Sequence, residues 1–146
     1  MTRRLVSVLM LVGVAACGEP EIVVPEVLSI VTVLPSHGAT GVSTSVEALV
    51  YFSSAVKDAT VATEELEVAC LGRAPCADAS GTGCAADPTV ATTVTFEINQ
   101  VAKLRPDVAL TTNMCYGITI SAGIEAADKN TGPLPVAIRS VFQTAP

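Results

Sequence analysis

The chain has 146 residues, with 8 Lys and Arg against 14 Asp and Glu, one His, five Cys and no Trp. A formal charge of −6 offers no basic cluster to neutralise phosphates, which argues against nucleic acid as a partner and against adhesion of the polypeptide itself to an anionic membrane surface. The length suits one domain, able to bury about two-thirds of its unfolded surface without depending on cross-links.

The N-terminus carries the first pattern. Arg3 and Arg4 precede an apolar run, Leu5 to Ala16, of 12 residues. A membrane-spanning helix needs about 20, and Gly18-Glu19-Pro20 ends the run at once. The segment is expected to be a cleaved export signal, residues 1–16. Its end, Val14-Ala15-Ala16-Cys17, resembles the lipobox of bacterial lipoproteins. That resemblance implies lipidation of Cys17, with palmitate-type acyl chains as the membrane anchor; ordinary cleavage nearby would leave Cys17 as an odd thiol instead. Gly18 stands where an aspartate favours inner-membrane retention in some lipoproteins, so an outer-membrane location in the cell envelope is expected, with the face left open. Loss of Arg3 and Arg4 leaves six basic and fourteen acidic residues, a charge of −8 on the processed chain.

Residues 17–26, with Pro20, Pro25 and three glutamates, read as an extended tether that holds the domain roughly 25–30 Å from the lipid. Alternatively, Ile22-Val23-Val24 forms a short edge strand. Val27 to Leu34 reads as a strand ended by the turn residues Pro35-Ser36-His37-Gly38. Val46 to Phe52 reads as a second strand, Lys57 to Thr60 as a single helical turn, and Leu66, Val68 and Cys70 as one face of a third strand. A loop rich in Gly, Ala, Ser and Cys runs from Leu71 to Pro88. Thr92 to Ile98 alternates Thr with apolar residues. In Met114 to Ile120, Met114, Tyr116, Ile118 and Ile120 share one face and Cys115, Gly117 and Thr119 the other. Ile138 to Thr144 supplies a last strand. Short strands with regular turn signals predict an all-β sandwich of about seven strands over residues 27–146.

From Ile30 onward the sequence resembles the bacterial Ig-like domain of the SbsA type. The residues that carry the likeness are Pro35 to Val42, Phe52-Ser53 with Val56, Phe96, Pro106, Leu110, Tyr116 to Ile120, Gly123-Ile124, Asp128 to Gly132, Leu134, and Phe142-Gln143-Thr144. The cysteine loop from Cys70 to Cys84 has no counterpart in that pattern. The resemblance implies an extracytoplasmic surface module without a catalytic site.

Removing Cys17 from the count leaves Cys70, Cys76, Cys84 and Cys115. An even number in an oxidising compartment predicts two disulfides. Zinc is the rival, but zinc ligand pairs usually sit two to four residues apart, and here five, seven and thirty residues separate the cysteines. Three connectivities exist; Cys76–Cys84 within the loop and Cys70–Cys115 between strands is the expected one.

His37 is the lone histidine and reads as an exposed turn residue, since a serine-nucleophile site needs a histidine flanked by serine and carboxylate. No phosphate-binding glycine loop or nucleophile elbow is present, so neither enzyme activity nor a cofactor is expected. Asp128 to Gly132 faintly resembles a calcium loop, with Glu125 and Asp128 as the weak candidate ligands. The twelfth position, however, is Arg139 where a glutamate is needed, and a plain turn fits better. Tyr51, Phe52, Phe96, Tyr116 and Phe142 all fall in strands and are expected in the core. The functional expectation is a non-enzymatic, lipid-anchored envelope module with a structural or protein-interaction role toward an envelope protein that the sequence does not name. The alternative is a calcium-stabilised adhesion or ligand-binding module.

Overall fold

A computed structural model describes residues 25–57, 64–78 and 81–146. The signal segment, Cys17, most of the tether and all but the first residue of the helical turn expected at 57–60 lie outside them.

Among the described residues seven strands form two antiparallel sheets: β1 (Ile30–Leu34), β2 (Ala48–Phe52), β3 (Leu66–Arg73), β4 (Thr92–Glu97), β5 (Val101–Pro106), β6 (Met114–Ile120) and β7 (Ile138–Gln143). One sheet has the order β1-β2-β5-β4 and the other β3-β6-β7. The all-β expectation holds. β3 runs three residues further than Cys70, to Arg73.

Alternation builds the core. On β2 the buried residues are Ala48, Val50 and Phe52, and on β5 Ala102 and Leu104. Facing them across the sandwich are Leu66 and Val68 of β3, Tyr116, Ile118 and Ile120 of β6, and Phe142 of β7. Two aromatic pairs stack within this layer, Phe52 on Phe96 at 6.1 Å and Tyr116 on Phe142 at 5.9 Å between centroids. Four of the five aromatics thus pack as expected. Tyr51 does not: it sits between buried Val50 and Phe52, so the two-residue period turns it to the outer face, where it is half-buried.

β5 is the strand the sequence pattern conceals. Its core face fully buries only Ala102 and Leu104, while Lys103 and Arg105 point the other way. It follows β4 through a tight turn at Ile98 and Asn99, both with positive φ (45° and 53°). Asn suits that region and the β-branched Ile98 does not.

A polar corner fixes the end of β6. The Tyr116 hydroxyl accepts the Thr111 N–H at 2.9 Å, the geometry of a tyrosine corner. The fully buried Thr144 hydroxyl accepts the Met114 N–H at 3.0 Å and lies 2.7 Å from the Thr111 carbonyl, to which it donates. Thr144→Val is expected to cost about 1–3 kcal/mol by leaving buried groups unpaired. Tyr116→Phe is expected to cost less, because Thr111 is exposed. Urea denaturation with an unchanged m-value checks the ranking.

Candidate functional site: the disulfide-stapled flank

Antiparallel pairing sets Cys70 opposite Tyr116 and Gly72 opposite Cys115, with Leu71 as an extra residue between them. The Cys70 side chain therefore shares the core side of the sheet with Leu66 and Val68. Cys115, next in sequence to core-facing Tyr116, points to the outer side, and the two cysteines cannot meet across the sheet. The structure joins Cys70 to Cys84, with Cα atoms 5.8 Å apart, and Cys76 to Cys115, at 5.4 Å. This corrects the expected Cys76–Cys84 and Cys70–Cys115 pairing. Two disulfides do form, each on its own face of the sheet.

The loop they hold covers an edge. Along the open side of β3, the Val68 carbonyl accepts from Val90 N–H and the Cys70 N–H donates to Pro88. The Leu71 carbonyl accepts from Gly81 N–H, and the Arg73 N–H donates to Thr82. A sheet edge left open is a template for unwanted pairing, and here the insertion takes it up. Gly83, at φ +88°, brings the backbone against the Arg73 and Met114 side chains, where a Cβ would lie 3.2 Å from the Arg73 guanidinium. A short 3₁₀ turn, Cys76–Asp78, carries Cys76 to Cys115.

Two hollows flank this unit. One, of about 260 Å³, lies on the core side between the loop and the tyrosine corner, with Cys70, Cys84, Val90, Val108 and Tyr116 in its walls. The other, of about 440 Å³, lies between Pro75–Ala77 and the turn His37–Thr40, floored by Val141 and Gln143. Among the described residues neither lining sets a histidine beside a carboxylate. His37 uses Nδ1 to accept the Val141 N–H at 3.2 Å, so its imidazole caps the outer edge of β7. The neighbouring turn continues that capping. Gly38 N–H donates to Val141, Gln143 N–H to Ala39, and Val42 N–H to Gln143.

The candidate calcium ligands are engaged separately. Glu125 pairs with Lys57. Asp128 accepts the Asn130 N–H at 3.1 Å and lies 3.3 Å from the Thr131 hydroxyl, closing its own turn. Among the described residues no group of three or more His, Cys, Asp or Glu side chains is placed to hold a metal ion. On the outer face of β5, the Glu97 carboxylate hydrogen-bonds Lys103 and raises its ammonium above the ordinary lysine value. Among the described residues no helix is long and apolar enough to cross a membrane.

A sequence-family model matches residues 25–144, the span that contains both sheets, the tyrosine corner and the buried Thr144. The chain belongs to the bacterial Ig-like domain family. No curated protein matches it at the level of sequence. Among solved structures, an L,D-transpeptidase from Mycobacterium smegmatis superposes with a TM-score of 0.51 at 16% identity, over 81% of this chain and 40% of that one. The N-terminal part of the bacterial S-layer protein SbsC gives 0.50 at 13% identity, over 82% of this chain and 24% of that one. Domains 1–6 of surface layer protein SbsC give 0.50 at 15% identity, over 82% and 14%. The chain therefore spans less than half the length of each, and the likeness is one of fold. For this bacterial Ig-like domain, as for any fold, activity must be argued from its own side chains.

Non-reducing peptide mapping is expected to recover Cys70 linked to Cys84 and Cys76 linked to Cys115, with no Cys76–Cys84 peptide. Replacing Cys70 and Cys84 by alanine together is expected to cost about 2–3 kcal/mol, the loop-closure value for a 14-residue separation. Equilibrium denaturation reads that loss.

Proposed function

We propose that this bacterial Ig-like domain is a non-enzymatic module of the bacterial cell envelope, anchored through acyl chains on Cys17 and acting by contact with other envelope proteins. The observation that carries the reading is how the reactive side chains are employed. His37 caps a strand edge, four cysteines form two disulfides, Glu125 is ion-paired and Asp128 closes a turn. Triad-type nucleophilic catalysis needs a nucleophile and a base held together with a third orienting group, and these residues are each committed elsewhere. The structural likeness to an S-layer protein and to an L,D-transpeptidase, both matched over part of their length, is compatible with an accessory role.

The anchor follows from the lipobox-like end of the signal. Each buried methylene contributes about 0.8 kcal/mol, and stable attachment takes more than one chain. Cys17 stands eight residues before Pro25, where the described domain begins. A sandwich on such a tether presents its loops and strand edges to neighbours, the usual places for contacts on this architecture.

Fractionation tests the anchor. The wild-type chain is expected in the membrane pellet with an acylated N-terminus by intact mass, and Cys17→Ala in the soluble fraction or unprocessed. A wild-type chain without acyl mass contradicts the anchor. Calcium at millimolar concentration is expected to leave the melting temperature unchanged; a rise of several degrees would restore the calcium-stabilised reading.

A further inference from the structure

Two sheets have four outer edges, and the chain treats them differently. The 81–90 segment covers β3, and the turn from His37 to Val42 covers β7. β1 has five residues, a register break at Val31 and Pro35 at its end, all of which disfavour further pairing. Among the described residues β4 has none of these protections. It pairs with β5 without a break from Thr92 to Glu97 and contains no Pro, Gly or Lys.

Its backbone parity is fixed by its neighbours. The Ala91 carbonyl accepts Asp107 N–H and the Glu97 carbonyl accepts Gln100 N–H, both toward β5. The Val90 N–H donates the other way, to Val68. Odd-numbered residues of β4 thus direct N–H and C=O to β5, and Thr92, Val94 and Phe96 direct theirs outward. Among the described residues these outward groups have no backbone partner.

We propose that β4 is a self-association edge, pairing antiparallel with β4 of a second copy about a two-fold axis at Thr95. The strand is complementary to itself in this register. Val94 of one copy meets Phe96 of the other as a hydrogen-bonded pair, and the symmetric pair does the same, so the outward groups of both residues are satisfied. On the core side, these half-buried side chains gain an apolar neighbour. On the outer side Thr95 faces Thr95, and each Glu97 faces Thr93 rather than another carboxylate, which cross-strand pairing favours. Arg105 lies opposite Thr93 on β5, and Asp107 accepts the Thr93 hydroxyl at 2.7 Å, so the incoming Glu97 meets one charge of each sign.

The register also places a residue otherwise hard to explain. Ile98 is 85% exposed and has φ +45°, an unfavourable conformation for a β-branched side chain that is kept in the open. In the paired arrangement it falls beside Thr92 of the other copy, at the end of β4 where Val90, Ala91 and the 71%-exposed Val108 border the hollow of about 260 Å³. Both ends of the contact then carry an apolar side chain. An isologous contact of this kind closes on itself as a dimer. A single strand pair makes a small interface of the transient class, which confinement of tethered copies to one surface strengthens through effective concentration.

Sedimentation equilibrium of the full chain in density-matched detergent, up to about 0.5 mM, tests it; the range reaches weak, transient contacts. The wild type is expected to dimerise. Thr95→Lys and Thr95→Glu each place like charges at the two-fold axis and are expected to weaken the dimer at least tenfold, with melting temperatures near wild type because Thr95 is exposed. An equimolar mixture of the two variants is expected to dimerise again. A wild type monomeric over the whole range, a dimer that survives both substitutions, or a mixture that stays monomeric would each overturn the proposal.

Discussion

Backbone groups at the rim of a sheet must find partners, and this requirement organises the cysteine-bearing half of the molecule. β3 would be an open eight-residue edge without the segment that follows it. That segment turns back and gives Val90, Pro88, Gly81 and Thr82 to the β3 backbone. The same residues then lead into β4 in the opposite sheet, so one stretch of chain both closes an edge and crosses the sandwich. A loop dense in small residues has little apolar area with which to hold itself, and the cystines supply the constraint that burial does not.

The two cross-links divide the labour by face. Cys70–Cys84 fixes the loop from the core side, next to Tyr116 and the hollow beneath it. Cys76–Cys115 fixes it from the outer side through the fully buried Cys115. Between them lies the sheet itself, and the extra residue at Leu71 brings Gly72 rather than a larger side chain opposite Cys115. Nearby, Gly117 leaves room for Leu71 and Arg139 to lie over the sheet, where a Cβ would come within 2.9 Å of the Arg139 guanidinium. The outer surface is thus covered by side chains and a 3₁₀ turn.

Much of this was readable from residue order, and the failures have physical causes. β4 and β6 announce themselves by alternating apolar residues, and β2 and β7 by their strand-favouring side chains. β5 is silent because it buries only Ala102 and Leu104, and Lys103 and Arg105 break the apolar run. The two-residue period already placed Cys70 and Cys115 on defined faces of their strands, but whether those faces coincide depends on register, which is a tertiary property. Tyr51 was misplaced because strand-favouring character says nothing about which side of the sheet a residue occupies. The Phe142-Gln143-Thr144 signature was visible, whereas the partners of Thr144, the backbone at Thr111 and Met114, appear only when β6 and β7 are side by side. The roles of His37 and of the 81–90 segment as edge covers were not legible, since an edge exists only once the sheet is assembled.

The cysteine loop is an integral part of the sheet rather than an appendage. Amide hydrogen exchange resolved to single residues tests it most directly. The Cys70 and Arg73 amides, which donate to the Pro88 and Thr82 carbonyls, are expected to exchange as slowly as core amides of β6 in the oxidised protein. Exchange at those two amides as fast as in an exposed turn, with β6 still protected, would contradict it.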